Sequence, residues 1–316
     1  MMMRQIINRI ISLINKPLIN VIKNINNDKI VNEEKKIILI AKSLLLSKQF
    51  KNFKLNSQKD RLYQFEFKVF SQFGDDGIIQ FLINYLNITE KTFIEFGVTD
   101  YVESNTRFLL MNNNWNGMVM DGSMNEIMKI KKSYYYWQFD LSAEQLWITK
   151  ENIDDFIVEK GYSGEIGLLH IDLDGNDYWI WDAIKSISPV IFIAEYNSVF
   201  GTHPWTIPYS ESFYRTDAHY SNLYWGSGLG PIYNLSKGKG YSFIGCNSAG
   251  NNAYFVRNDK LKDLTPLSLQ EGIVISKYRE SRSLEGHLDF VAGKNRLDKI
   301  RGMKIFNVEK EIIEII

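Results

Sequence analysis

The spacing of apolar and polar residues changes character near residue 60. Over residues 4–24, Ile7, Ile10, Ile11, Ile14, Leu18, Val21 and Ile22 recur on one face of a helix, which Pro17 should kink or divide. A second helix is predicted over 33–49, where Ile37, Ile40, Ala41, Leu44 and Leu45 face one way. From about residue 68, short apolar runs of strand character alternate with helical stretches. Strands are predicted at 92–97 (TFIEFG), 117–121 (GMVMD), 135–139 (YYWQF), 166–172 (IGLLHID) and 190–195 (VIFIAE). Helices are predicted near 75–86, 104–113, 123–131, 151–160 and 177–186. Two further runs, 241–246 and 252–257, flank the turn-rich NSAG and read as an antiparallel hairpin.

This alternation predicts a doubly wound α/β fold with helices on both faces of a mostly parallel, seven-stranded sheet. The runs near 168–171 and 190–194 are almost wholly apolar, as strands covered on both faces should be. Five parallel strands followed by a hairpin is the class I methyltransferase order, whereas a dinucleotide dehydrogenase more often closes with another parallel unit. The expected organisation is a helical N-terminal extension over residues 1–60 and a catalytic domain over 61–316.

Charge adds an asymmetry. The 316 residues carry 37 basic and 37 acidic side chains. Residues 1–60 hold twelve Lys or Arg against four Asp or Glu, so the remainder is acidic by the same margin. An acidic folded part argues against a nucleic-acid partner. The basic, amphipathic arm could pack on the domain, join two subunits or touch a membrane surface. One cysteine, Cys246, rules out an internal disulfide. With no long apolar run and no cleavage signature in residues 1–16, the expected location is the cytoplasm.

Ligands of such sheets bind beyond the carboxyl ends of the strands. Strand one ends FIEFGVTDYVESNT, placing Glu95 and Gly97 at the turn into a helix that Ser104 or Asn105 could cap. Only Gly97 of a GxGxxG pattern is present, and Glu95, Asp100 and Glu103 would repel a pyrophosphate. The same acids suit the sulfonium and amino group of S-adenosylmethionine. Asp121, after strand two, is placed to accept ribose hydroxyls, and Asp140, after the run 135–139, to meet the adenine. Asp172, at the end of strand four, faces the cofactor loop.

The blocks SQFGDDGI (71–78), FIEFGVTDYVESNTRFLL and NWNGMVMDGS resemble the FkbM-type methyltransferases. IGLLHIDLDGNDYWIWDAI, VIFIAEYNSVFG, GYSFIGCNSAGNNAYFVR and YRESRSLEGHLDF resemble a bacterial branch associated with surface polysaccharides. The resemblance spans residues 68–310. It implies S-adenosylmethionine-dependent O-methylation of a sugar or nucleotide-sugar hydroxyl, with Gln72 near the cofactor's amino-acid end. Tyr101 stands where the family usually has a second glycine.

On the acceptor side, strands four and five end in HIDLDGNDYW and AEYNSVFGTH. Asp174, Glu195 and Asn197 form an oxygen-rich set that suits Mg²⁺, which would acidify and orient a hydroxyl. Resemblance to some macrolide-sugar O-methyltransferases implies Asp174 as ligand and Asp177 as base; Asp177 could instead cap the next helix. His203 is the alternative base. The long segment 198–225 offers Trp205, Tyr209, Phe213, Tyr214, Tyr220, Tyr224 and Trp225 for stacking on sugars. Two rival readings stand: a metal-dependent glycosyltransferase using Asp172-Leu173-Asp174 as a DxD motif, and a non-catalytic scaffold.

Overall fold

The computed structural model describes residues 61–316. The helical arm, with the domain boundary, subunit and membrane contacts expected of it, lies outside the described residues.

Seven strands form the main sheet: β1 Thr92–Phe96, β2 Asn116–Asp121, β3 Leu141–Gln145, β4 Gly164–Ile171, β5 Ile187–Glu195, β7 Tyr241–Cys246 and β8 Asn252–Arg257. Their spatial order is β3-β2-β1-β4-β5-β8-β7, with β8 antiparallel to both of its neighbours and the other pairings parallel. This is the doubly wound α/β class that the sequence predicts. The chain builds outward from β1 to β3, then returns to lay β4 against β1, so strand order reverses between β1 and β4.

Period-two side-chain alternation fixes the packing. Phe93, Val119, Leu168, Ile191 and Ile193 enter one buried cluster. Their sequence neighbours Ile94, Met118, Met120, Leu169 and Phe192 enter a second cluster on the other face. Helix α1 (Asp75–Leu86) covers the first face with Ile78, Phe81 and Leu82. Between β1 and β2 runs α2 (Arg107–Asn113), followed by α3 (Met124–Lys131) and α4 (Tyr134–Gln138). On the second face lie α5 (Ile153–Glu159), α6 (Asp177–Ala183) and, further along, α8 (Leu229–Gly238), contributing Ile157, Trp181 and Ile232.

The third strand corrects the sequence reading. The aromatic run 135–139 falls in α4, where Tyr135 is buried and Trp137 is exposed. The strand is the next segment, whose Leu141 and Ala143 point into the core beside β2. Strand preference of aromatics reflects packing on a pleated surface, and here the alternating aliphatics have that surface.

Segment 198–225 is anchored rather than structureless. It contains β6 (Trp205–Thr206) and a single helical turn, α7 (Arg215–Ala218). Strand β6 pairs with β9 (Lys304–Asn307), which pairs with β10 (Ile312–Ile315), as a small antiparallel sheet. Phe200, Ile207, Leu223, Tyr224, Ile300 and Ile305 form its core. Two short helices, α9 (Leu269–Gly272) and α10 (Asn295–Lys299), complete the described residues. None of the described helices is long and apolar enough to cross a membrane.

Candidate functional site

The carboxyl ends of β1, β2, β4 and β5 bring most of the expected residues to one edge of the sheet. Glu95 and His170 are register partners on adjacent strands, and the imidazole Nδ1 lies 3.0 Å from Glu95 Oε1. Glu95 also accepts from the Asn105 and Thr106 amides and from the Ser104 and Thr106 hydroxyls. Burial alone would raise this carboxyl, but the His170 bond and the other donors hold it below the ordinary range. His170 is correspondingly raised: burial opposes its charge, and the bond to Glu95 outweighs it. Both Glu95 oxygens are thus engaged within the protein. Its expected direct contact with a cofactor is replaced by a role in fixing the loop.

That loop adopts glycine-like conformations largely without glycine. Gly97 has φ 73°, Thr99 46° and Tyr101 59°. A Cβ at Gly97 would stand 1.7 Å from the Asp172 carbonyl oxygen, so only glycine lets the β1 turn touch the end of β4. Tyr101 is buried, and its hydroxyl meets Thr106 Oγ1 at 2.9 Å. Arg107 donates to the Tyr101 and Val102 carbonyls and lies between the Phe70 and Tyr135 rings. The positive φ of Thr99 and Tyr101 stores strain that these contacts must hold.

Asp121 ends β2 beside the loop and is partly exposed. Its Oδ2 accepts from the Thr99 amide and its Oδ1 from the Ser123 amide, each at 2.8 Å. Each oxygen keeps a second lone pair for a hydroxyl donor. Asp140 is elsewhere. It precedes β3, and its carbonyl accepts from Gly117 at the start of β2, so it belongs to the amino edge. The carboxyl end of β3 is Gln145, and the ring just beyond it is Trp147. Trp147 lies against Gly122, is 46% exposed and donates to the Glu211 carbonyl. The alternation Leu141, Ala143 was the signal for this strand. Gln72 is exposed on the strap preceding α1, which Ser104 joins to the β1 loop through the Phe70 carbonyl.

Beyond the paired Ile171 and Ala194, adjacent strands present Asp172 and Glu195. With Asp174 they converge so that one oxygen from each lies within 4.8 Å of the others. Burial pushes Asp172 up to about 7, with the Asp174 charge adding to it. Glu195 is pushed well above the ordinary range by burial and by Asp172. Asp174 is exposed, has φ 53° and pairs with Arg215. Arg215 also contacts Glu280 at 2.6 Å, donates to the Asn222 carbonyl and lies over the Trp225 ring. Beside them Tyr278 stacks on Phe73 of the strap, so the tail 273–291 reaches the site. Sequence reading singled out neither Arg215 nor Glu280, because their pairing joins positions far apart in the chain.

Three acceptor-side expectations are corrected. Asp177 accepts from the Leu173 and Gly175 amides, at 2.7 and 3.0 Å, and so closes the turn before α6 instead of facing an acceptor. Burial raises it to about 6. Asn197 donates to the Leu223 and Trp225 carbonyls and accepts from the Val199 amide, so it braces the insertion rather than joining the acids. His203 is exposed ahead of β6 with its ring stacked on Trp205, and the described contacts do not link it to the acids. Of the segment's aromatics, Tyr224 and Trp225 are core, while Tyr214 and Tyr220 are the most exposed.

No protein-family model matches the chain, and a search of curated proteins finds no match. Among solved structures it is similar to an S-adenosylmethionine-dependent methyltransferase from Clostridium acetobutylicum, with 11% identity and a TM-score of 0.39; the match covers 58% of this chain and 90% of that one. A putative caffeoyl-CoA O-methyltransferase from Staphylococcus aureus matches at 14% identity and a TM-score of 0.38, over 78% of this chain and 99% of that one. A putative O-methyltransferase from Klebsiella pneumoniae matches at 9% identity and 0.36, over 69% and 90%.

Proposed function

We propose that the chain is an S-adenosylmethionine-dependent O-methyltransferase acting in the cytoplasm on a small polyhydroxylated acceptor, a sugar or nucleotide-sugar of surface-polysaccharide synthesis. The observation that carries the cofactor reading is the placement of Asp121. Strand order reverses between β1 and β4, and the β2 carboxylate beside that point is held by Thr99 and Ser123 with lone pairs to spare. Such a carboxylate suits a ribose diol. The half-exposed Trp147 ring at the end of β3 suits an adenine face. The basic side chains at the β1 turn are already engaged, Arg107 by the Tyr101 and Val102 carbonyls and Lys68 by Glu103, and Asp100 and Glu103 disfavour a pyrophosphate.

S-adenosylmethionine, when bound, supplies an electrophilic methyl group on a positively charged sulfur. The chain's own contribution is placement and charge. Asp121 and Trp147 fix the nucleoside, Gln72 lies toward the amino-acid end, and the acids after β4 favour the positive sulfur. Acceptor oxygen and methyl carbon must be collinear with the departing sulfur, so holding them close supplies much of the rate. Asp174 is the exposed carboxylate of the cluster and orients the acceptor hydroxyl, whose proton leaves to solvent as the new carbon–oxygen bond forms. The acidic surface of residues 61–316 favours a small-molecule acceptor over nucleic acid.

Isothermal titration calorimetry of the full chain with S-adenosylhomocysteine, with UDP and GDP alongside, tests this reading. Micromolar product binding, about −8 kcal/mol, is expected. Binding confined to the nucleoside diphosphates would replace it with the DxD glycosyltransferase, and no binding to any of the three with the scaffold.

A further inference from the structure

The acids at the ends of β4 and β5 pose a charge problem that the protein alone leaves open. Asp172, Asp174 and Glu195 offer oxygens within 4.8 Å of one another. Glu280 joins them through Arg215. Arg215 contacts two of these four carboxylates directly, while His170 acts on Asp172 and Arg296 on Glu280, so Glu195 is left without a cation of its own among the described contacts. Charges this close in a largely buried setting repel strongly unless a cation or a proton lies among them. A second observation bears on which it is. Glu195 is 8% exposed, and its Oε2 is buried with no nitrogen or hydroxyl donor beside it; the Asp172 carboxyl lies within hydrogen-bond reach of Glu195 and serves it only if the two acids share a proton. A buried carboxylate oxygen with no donor costs stability unless something outside the chain completes it. By contrast, both Asp177 oxygens and the Asn197 side chain are satisfied by backbone.

We propose that Asp172, Asp174 and Glu195 form a divalent-cation site, with the buried Glu195 as the inward ligand and Asp174 as the solvent-facing one. The ligand set differs from the sequence expectation by exchanging Asn197 for Asp172. An all-oxygen donor set of carboxylates fits Mg²⁺ or Mn²⁺ and disfavours softer ions that seek sulfur or imidazole. Three protein ligands leave positions for water or an acceptor hydroxyl, whose proton the ion would make easier to remove. That catalytic role rests on the methyl-transfer reading; cation binding itself does not. Arg215 is the internal competitor, since it occupies Asp174 from the insertion side.

The test is Mn²⁺ titration of the full chain in the absence of any nucleoside, followed by the paramagnetic resonance of the free ion, with Mg²⁺ as competitor. One saturable site that Mg²⁺ displaces is expected. Glu195→Gln and Asp174→Asn should each weaken it by at least about tenfold, the lower bound seen when even a supporting partner of a metal ligand is lost. Asp140→Asn, at the opposite edge, should leave it unchanged. Thermal unfolding guards the result: without metal, Glu195→Gln should melt at or above the parent temperature, and Mn²⁺ should raise only the parent's midpoint. Absence of saturable binding by the folded parent overturns the site and leaves a shared proton as the cluster's counter-charge. Equal binding by the parent and by the Glu195→Gln/Asp174→Asn double variant overturns it too. Product binding in calorimetry is independent of either outcome, so the cation and the cofactor can fail separately.

Discussion

Glu95 and His170 sit opposite each other at the carboxyl ends of β1 and β4, and their side chains form a buried pair, 3.0 Å apart, under the β1 loop. Their pKa displacements set a pH window. Glu95 is lowered from 4.5, so its contribution is present above that value and is lost as pH falls through the lowered one. His170 is raised from 6.5, so its contribution is complete below that value and fades as pH rises through the raised one. The pair therefore stabilises most between pH 4.5 and 6.5. Glu95→Gln should cost about 3–5 kcal/mol there, the usual penalty for orphaning one member of a buried pair. Urea unfolding across pH should show the difference narrowing on both sides. A constant difference at every pH would mean the pair is not ionised.

Asp121 and Asp140 were both expected at the cofactor, and the structure separates them to opposite edges. Asp121→Ala should weaken S-adenosylhomocysteine binding by about tenfold or more, because ribose hydroxyls lose their acceptor and the Thr99 amide loses its partner. Asp140→Ala should leave affinity within error. Calorimetry on the two variants decides, and equal effects would place the nucleoside elsewhere.

Gly97→Ala should be among the most damaging single changes. Its methyl would fall on the Asp172 carbonyl oxygen at a left-handed backbone position. Overpacking and the unfavourable φ together predict a loss above about 3 kcal/mol. An unaltered midpoint in thermal unfolding, with unaltered product affinity, would refute the close contact.

Arg215 ties the insertion to β4 and to the tail at once. Arg215→Met should lower the unfolding midpoint more than Glu280→Gln, because it releases Asp174, Glu280 and the Asn222 carbonyl together. It should also tighten Mn²⁺ binding by freeing Asp174. If Mn²⁺ affinity instead falls, the guanidinium supports the site rather than competing for it.

How much of this was legible in the sequence depended on range. The strands covered on both faces, 168–171 and 190–194, declare themselves because every position but His170 is apolar. The residues that follow them, Asp172 and Glu195, inherit their placement from that pattern. Position 140 falls at the amino edge because the aromatic run before it only imitates a strand, and β3 shows its alternation at Leu141 and Ala143. Glu95 was correctly set at the strand end, but its partners Ser104, Thr106 and His170 are not visible in spacing. Whether a polar residue faces a ligand or the backbone is decided by such partners, as Asp177 and Asn197 also show. The Arg215–Glu280 contact needed the folded chain.

The contact between Gly97 and the Asp172 carbonyl has a consequence for how such a site can diversify. The β1 turn and the acid cluster share a wall with no room for even a methyl group. Neither side can be widened without displacing the other, and a ligand that presses on the β1 turn presses on Asp172 as well. New acceptor preferences would therefore have to be written outside the sheet edge. The exposed rings of the insertion, Tyr214 and Tyr220, can vary while its small sheet and the Arg215 tie stay constant.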